Sequence, residues 1–408
     1  MRKLIIYMLS FSMMILSLAG CNTKNKQDEE ANKDKSDVVN QEVSTLITNF
    51  SLELFKNSFT SKQNTLFSPL SVMLALAMCE NGADGETLSQ MEEMFGTSVN
   101  QLNKYLASYK EQLAVGENYK LNFANSIWIN DNTISVNNDF LEINNDYYKA
   151  DVFKQLFDQS TVNNMNDWVS QHTDGLISKI LDKISANAVM FLINALVFDA
   201  QWETIYTEDQ ITEGEFTSIS GESQTVEFMN SKEYSYLESE NATGFIKYYA
   251  DQKYAFVALL PNEDITLDEY VESLATNELT LLIEEAESSQ VNASIPKFQS
   301  EYTTELTEVM ISMGMVDAFD KEKANFSKML SGDSIENIYI SQIIHKTYIA
   351  VDERGTKAGA ATAVQIDTTS IAIEEPKSVV LDRPFIYMIV DVETSSPIFI
   401  GALTTIES

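Results

Sequence analysis

Over the first part of the chain, apolar positions recur every three to four residues, the period of a helix with one buried face. Residues Thr45–Thr60 place Leu46, Ile47, Phe50, Leu54 and Phe59 at that spacing. Ser68-Pro69 sets an N-cap before a proline at the first helical position, and predicts a helix over Pro69–Glu80. That helix is apolar nearly all round (LSVMLALAMC), so it is expected inside the molecule. Asp84–Phe95, Val99–Val115, Asn137–Tyr148 and Asn163–His172 predict further helices. From Val189 the pattern changes. Met190–Phe198, Phe245–Leu260, Val291–Phe298, Ile338–Val351, Val379–Leu381 and Phe385–Val390 are rich in β-branched and aromatic residues, and are expected as strands. Helices first and strands later predict an α+β fold rather than a doubly wound parallel sheet. No Pro/Gly/Ser linker and no repeat interrupts residues 43–408, which therefore read as one domain.

The N-terminus has a different pattern. Arg2 and Lys3 precede an apolar run from Leu4 to Leu18, followed by Leu18-Ala19-Gly20-Cys21. The last four resemble a bacterial lipobox, so residues 1–20 are expected to be a lipoprotein signal peptide and Cys21 the lipidated residue. An uncleaved membrane helix is the alternative, and the run is barely long enough for one. Residues 21–42 are almost devoid of apolar side chains and predict a flexible tether with a reach of roughly 25 Å. The expected location is extracytoplasmic, lipid-anchored at the bacterial cell membrane or surface.

Charge and composition narrow the chemistry. The 408 residues carry 27 Lys+Arg against 61 Asp+Glu, a net charge of −34. Such a surface repels polyanions, so nucleic acid is not an expected partner. Two cysteines and two histidines leave little for disulfides or metal sites, and no metal or cofactor is expected. With Cys21 modified, Cys79 has no partner; its surroundings, Ala75-Leu-Ala-Met-Cys79, predict a small buried hydrophobe. No G-x-S-x-G elbow, phosphate loop or H-E-x-x-H motif is present. Glu80–Gly85 fails as a Ca²⁺ loop and reads as a helix-ending turn. His172 reads as a surface residue and His345, inside an apolar run, as a core histidine in need of partners. An enzyme is not expected.

The informative segment is Glu353–Asp367 (ERGTKAGAATAVQID), which holds no proline, no aromatic and no bulky side chain before Val364. Read as a strand, one face carries Thr356, Ala358, Ala360, Thr362, Val364 and Ile366. A loop-like stretch, Thr368-Thr-Ser370 to Lys377, follows. Here the sequence resembles the serpin family. The resemblance rests on Asn64-Thr-Leu-Phe-Ser-Pro-Leu-Ser71, Asn81-Gly-Ala83, Phe191-Leu-Ile-Asn-Ala195, Trp202, Ile295-Pro-Lys-Phe298, Leu306, Gly314–Phe319, Ile344-His-Lys346, Val351–Ala358 and Asp382-Arg-Pro-Phe385.

The resemblance implies a serpin fold, about nine helices around three β-sheets with an exposed reactive loop. It implies a suicide inhibitor of serine proteases, whose cleaved loop inserts as a strand of the main sheet, with a covalent acyl-enzyme as the complex. By family position the hinge comprises Glu353, Gly355, Thr356, Ala358, Ala360, Ala361 and Thr362. The scissile bond is expected at Thr369–Ser370, or a few residues later as far as Ile373–Glu374. Every candidate is small or aliphatic, which predicts elastase-like or subtilisin-like targets over trypsin-like ones. Ser68, Ser71, Asn194 and His345 match the cluster where the sheet opens, and Trp202 matches the top of that opening. Val99–Val115 offers only Lys104 and Lys110, so heparin activation is not expected, and the chain is expected to be a monomer. The alternative is a non-inhibitory serpin, a binding or chaperone-like surface lipoprotein.

Overall fold

The computed structural model of the chain describes residue 42 and residues 44–406, apart from 114–115, 117–118, 131–133, 186–187, 333–337 and 357–374. The expected signal peptide, Cys21, nearly all of the expected tether, Ala358, Ala360, Ala361 and Thr362 of the expected hinge, and the candidate scissile bonds from Thr369–Ser370 to Ile373–Glu374 lie outside the described residues.

Nine α-helices and sixteen strands are formed by the described residues. In chain order they begin with α1 (44–58), β1 (Thr65–Phe67), α2 (Pro69–Glu80), α3 (Gly85–Phe95), α4 (Val99–Gln112), β2 (Tyr119–Asn130) and α5 (Asn138–Tyr148). Then come β3 (Asp151–Gln155), α6 (Gln159–His172), β4 (Met190–Gln201), β5 (Ile211–Thr217), β6 (Ser223–Glu233), β7 (Tyr236–Glu238) and β8 (Ala242–Tyr248). β9 (Tyr254–Pro261), α7 (Leu267–Ser273), α8 (Thr276–Glu284), β10 (Val291–Pro296), β11 (Phe298–Glu305) and α9 (Thr307–Ser312) follow. The last strands are β12 (Ile344–Val351), β13 (Gly355–Thr356), β14 (Lys377–Val380), β15 (Phe385–Asp391) and β16 (Ser396–Leu403).

The strands form three sheets. Sheet I runs β11-β12-β13-β4-β2-β3, sheet II runs β1-β16-β15-β9-β8-β7, and sheet III runs β14-β10-β6-β5. β9, β15 and β16 are buried at every position, so sheet II is the centre of the core. Phe198 of β4 reaches Phe399 of β16 and Tyr249 and Tyr254 beside β9, joining sheet I to sheet II through aromatic contacts. α2 is buried at all but one position, as its unbroken apolar composition requires.

Several elements depart from the sequence pattern for physical reasons. β1, β2 and β3 precede Val189, where only helices are expected. β2 buries Asn125 and Ser126 among its apolar positions, and these polar residues obscure the alternation. Phe245–Leu260 is two strands, β8 and β9. They turn through Ala250–Gln252, where Asp251 and Gln252 take positive φ with no glycine to mark the reversal. Val291–Phe298 also divides: β10 ends at Pro296 in sheet III and β11 starts at Phe298 in sheet I. Only Ile344–Val351 of the Ile338–Val351 run is strand. β5 and β6, rich in Glu and Ser, and the short helices α7 and α8 carry too little periodic signal to be read.

One buried group has a titration consequence. The Glu80 carboxyl is fully buried at the end of α2, and neither oxygen has a hydrogen-bond partner among the described residues. Burial pushes its pKa up to about 8, and the negative charge of Glu92 adds to the rise. Unfolding releases that proton above the ordinary carboxylate range. The stabilising contribution is therefore complete below about pH 4.5 and is lost as pH rises through about 8. The loss is on the order of 5 kcal/mol. Thermal melts should show Glu80→Gln with a smaller fall in Tm than the wild type between pH 5 and 8.5; parallel slopes would contradict this.

Candidate functional site

β4 and β12 both run antiparallel to β13, so they run parallel to each other. Among the described residues they share no ladder; their common partner is the two-residue β13. Thr356 pairs with Val351 of β12 on one side and Ala200 of β4 on the other, while Gly355 pairs with Gln201. Two sheet spacings, roughly 9–10 Å, separate the flanking strands there. The fit is close. A Cβ on Gly355 would stand 2.0 Å from the Ala200 carbonyl oxygen, so only glycine allows the chain to enter at this point. Thr356 is 2% exposed, and its hydroxyl meets that of Tyr249.

At the other end of the same strands lies a cavity of about 590 Å³. Met190–Asn194 of β4, residues 338–345 leading into β12, and Ser71, Val72, Ala75, Leu76 and Cys79 of α2 line it. The Cys79 thiol is pushed up to about 12, chiefly by burial and then by Glu80, so it stays protonated and acts as packing.

The first turn of α2 bridges the two strands. The Ser68 backbone N–H donates to His345 Nε2 at 3.2 Å, and the Ser71 hydroxyl donates to Asn194 Oδ1. Ser68 is also the N-cap, its Oγ accepting from Ser71 N–H at 3.3 Å. Asn194 Nδ2 passes the network on to Asn125 Oδ1 at 2.8 Å, and Asn125 Nδ2 donates to the Tyr148 carbonyl, also 2.8 Å. Ser68, Ser71, Asn194 and His345 are thus brought together at the cavity end of the two strands. The sequence suggested hydroxyls and an amide as partners for His345. The structure supplies the Ser68 backbone N–H instead, with the Phe67 ring stacked at 5.7 Å. His345 is 6% exposed, and burial pulls its pKa down to about 4, so the ring is neutral and its Nε2 is an acceptor.

Trp202 sits at the opposite end, where β13 lies between the strands. Its Nε1 donates to the Asp352 carbonyl at 2.8 Å and its backbone N–H to the Arg354 carbonyl at 2.9 Å. The ring stacks on Tyr249 at 4.5 Å. Glu353 is placed beside it. The Glu353 carbonyl accepts from Tyr206 N–H at 2.9 Å, and its carboxylate pairs with Lys297 at 3.0 Å. A backbone hydrogen bond and Lys297 together hold the Glu353 carboxyl below its ordinary range. Sequence reasoning missed Tyr249, Tyr206, Lys297 and Asn125. A lone Lys in the apolar stretch Phe245–Tyr249 was the one signal of a buried polar group at this end.

His172, the other histidine, ends α6, with Nδ1 at 2.8 Å from the Trp168 carbonyl and its ring on the Trp168 indole. It lies outside this site. Among the described residues no three His, Cys, Asp or Glu side chains stand close enough to hold a metal ion.

A family model described as "Serpin (serine protease inhibitor)" matches residues 45–406. A serpin-like protein of the archaeon Methanosarcina acetivorans is 31% identical over 351 residues, 83% of this chain and 81% of that protein. The leukocyte elastase inhibitor of Xenopus laevis is 28% identical over 378 residues, covering 88% and 98%. Among solved structures, the thermophilic serpin tengpin in its native state is similar with a TM-score of 0.85 and 50% identity, over 90% of this chain and 95% of that one.

His345 gives the site a pH dependence. Its folded pKa of about 4 lies below the ordinary 6.5, so unfolding takes up a proton in acid. Its contribution is complete above pH 6.5 and is lost as pH falls to about 4, a change on the order of 3 kcal/mol. Unfolding curves should show His345→Gln losing less stability than the wild type from pH 7 to 4; equal acid losses would contradict the assignment.

Proposed function

The chain belongs to the serpin family, and from that premise we propose that it is an irreversible suicide-type inhibitor of serine proteases with small or aliphatic residues at the attacked bond. The observation that carries this reading is β13. The chain that leads into the reactive loop has already entered sheet I as the two residues Gly355–Thr356, between strands that do not otherwise pair among the described residues. Each residue that follows in the sequence is small through Ala363, apart from Lys357 on the opposite face from Thr356.

The chemistry runs in two stages. A target serine attacks the loop carbonyl, the peptide bond breaks, and an acyl-enzyme ester forms. Cleavage frees the segment on the Thr356 side, which then extends β13 between β4 and β12. A strand of about twelve residues making about ten hydrogen bonds on each side, at a net ~0.5–1.5 kcal/mol each, releases on the order of 10–30 kcal/mol. That is as large as the whole stability of an ordinary domain, about 5–15 kcal/mol. The uncleaved form is then held by a kinetic barrier, and insertion carries the bound protease across the molecule before water reaches the ester. Small side chains on the Thr356 face avoid an overpacking cost of roughly 1–3 kcal/mol each as the strand enters.

Thr369–Ser370, or a bond as far as Ile373–Glu374, is the proposed point of attack. Its flanking residues favour elastase-like or subtilisin-like enzymes over trypsin-like ones, whose pocket takes a cation. The signal peptide 1–20, lipidation at Cys21 and tether 21–42 would present a single inhibitory domain at an extracytoplasmic membrane surface, as a monomer.

Reaction with elastase or subtilisin, followed by boiling in SDS, should give a band at the summed mass. Mass spectrometry of the released C-terminal peptide should place the cut within Thr369–Ile373. Thr356→Arg sets a long cation at a position 2% exposed, and is expected to yield a folded protein that is cleaved without forming that band. Wild-type trapping yield from Thr356→Arg would defeat the insertion account. Cleavage of the wild type without any trapping would move the reading to a non-inhibitory binding or chaperone-like serpin.

A further inference from the structure

Three consecutive carbonyls at the mouth of sheet I, those of Asp352, Glu353 and Arg354, are each held by a donor from Trp202 or Tyr206. Both of those side chains rest on one buried ammonium. Lys247 in β8 is 3% exposed, and its Nζ lies 4.5 Å from the centre of the Tyr206 ring and 5.4 Å from that of Trp202. Among the described residues it is the one cation over either ring. Glu233 of β6 anchors it with Oε1 at 2.8 Å, and the same oxygen accepts from the Ser231 hydroxyl at 2.6 Å. The Ser231 hydroxyl in turn stands 3.3 Å from the Tyr206 hydroxyl, closing a ring of contacts through Lys247, Glu233, Ser231 and Tyr206.

Such an arrangement resists movement in a way that an apolar packing contact does not. A buried ammonium cannot slide along the two rings without leaving the half-enclosed Glu233 carboxylate, and separating the pair strands a charge in a dry site. The attraction of the cation for the ring faces is strengthened by the same exclusion of water. Burial alone would lower the lysine pKa, but Tyr206 and Glu233 outweigh it and leave the pKa above its ordinary value, so the cation is permanent. One donor to the turn at 352–354 is on a ring it holds, Trp202 Nε1, and the other two are the backbone N–H groups of Trp202 and Tyr206 themselves; that turn aims Gly355 at the space beside Ala200, where its tolerance is smallest.

We infer that Lys247 is a positioning residue for strand insertion: through Trp202 and Tyr206 it fixes the turn from which the loop enters between β4 and β12. The inference rests on the inhibitory reading above. Loosening the turn leaves attack on the loop unchanged but delays insertion, so that more acyl-enzyme is hydrolysed and more inhibitor is consumed per protease trapped.

The experiment compares the full chain as wild type, Lys247→Met, Lys247→Arg and Glu233→Gln against whichever of elastase or subtilisin the wild type traps. It reads the stoichiometry of inhibition and, separately, the rate of loop cleavage. Lys247→Met should raise the stoichiometry about fivefold or more while cleavage changes less than about twofold. Lys247→Arg keeps both the cation over the rings and the pair, and should stay within about twofold of wild type. Glu233→Gln should fall between them. A residue needed only for general stability would lower Tm without changing how acyl-enzyme partitions, so wild-type stoichiometry in Lys247→Met overturns the inference. Failure of Lys247→Arg to rescue overturns it equally. If Lys247→Met shows no cooperative melt, Glu233→Gln decides, and an unchanged stoichiometry there is a refutation. A wild-type chain that traps neither protease sinks the inhibitory reading and this inference together, whereas trapping with unchanged variants sinks this inference alone.

Discussion

Two parallel strands, β4 and β12, flank a space that one more strand would fill, and among the described residues only Thr356 pairs with both. Strand edges in a protein interior demand partners, because a buried backbone donor or acceptor without one costs about as much as a lost hydrogen bond. A sheet divided in this way draws in any chain able to supply the missing ladder. The segment proposed as the reactive loop is covalently continuous with that space, since β13 precedes it directly. On the proposed reading, the serpin fold of this chain is scaffolding that holds the division open and supplies the strand that closes it.

The two ends of the division are held by different chemistry. At the cavity end, the first turn of α2 hydrogen-bonds to β12 through Ser68 and to β4 through Ser71. These bonds are polar, few and mostly buried, and they fix the position of α2 against both strands. The neutral His345 suits this place: its acceptor nitrogen takes one N–H, and its flat face packs on Phe67. At the β13 end the contacts are aromatic and ionic. Trp202, Tyr206 and Tyr249 grip the chain from Asp352 to Thr356. Behind them, Lys247 and Glu233 give the rings a rigid base. The two ends thus differ in kind, polar hydrogen bonds at one and aromatic and ionic contacts at the other.

Much of this is legible in the amino-acid sequence alone. The Ser68-Pro69 start of α2 and its all-apolar composition mark both the helix limits and its burial. The small residues alternating from Thr356 point to a strand-capable segment beside a loop, and motif order supplies the family. What is not legible is hidden for physical reasons. β2 hides its alternation behind Asn125 and Ser126, polar residues buried because Asn125 accepts from Asn194 and Ser126 accepts from the Trp128 indole N–H. The β8–β9 turn lacks glycine and proline, so two strands read as one. The Lys247–Glu233 pair joins strands of different sheets, a contact that no local periodicity encodes. His345 reads as needing a partner, but a backbone N–H as that partner is invisible to a reading of side chains.

Thermal unfolding before and after a single cut in the reactive loop tests the central claim most directly, because it needs no trapped protease. If the segment beyond Thr356 completes sheet I, the cut protein should melt higher by on the order of 20 °C or more. An unchanged or lower Tm after complete cleavage would mean that the space between β4 and β12 does not accept the loop.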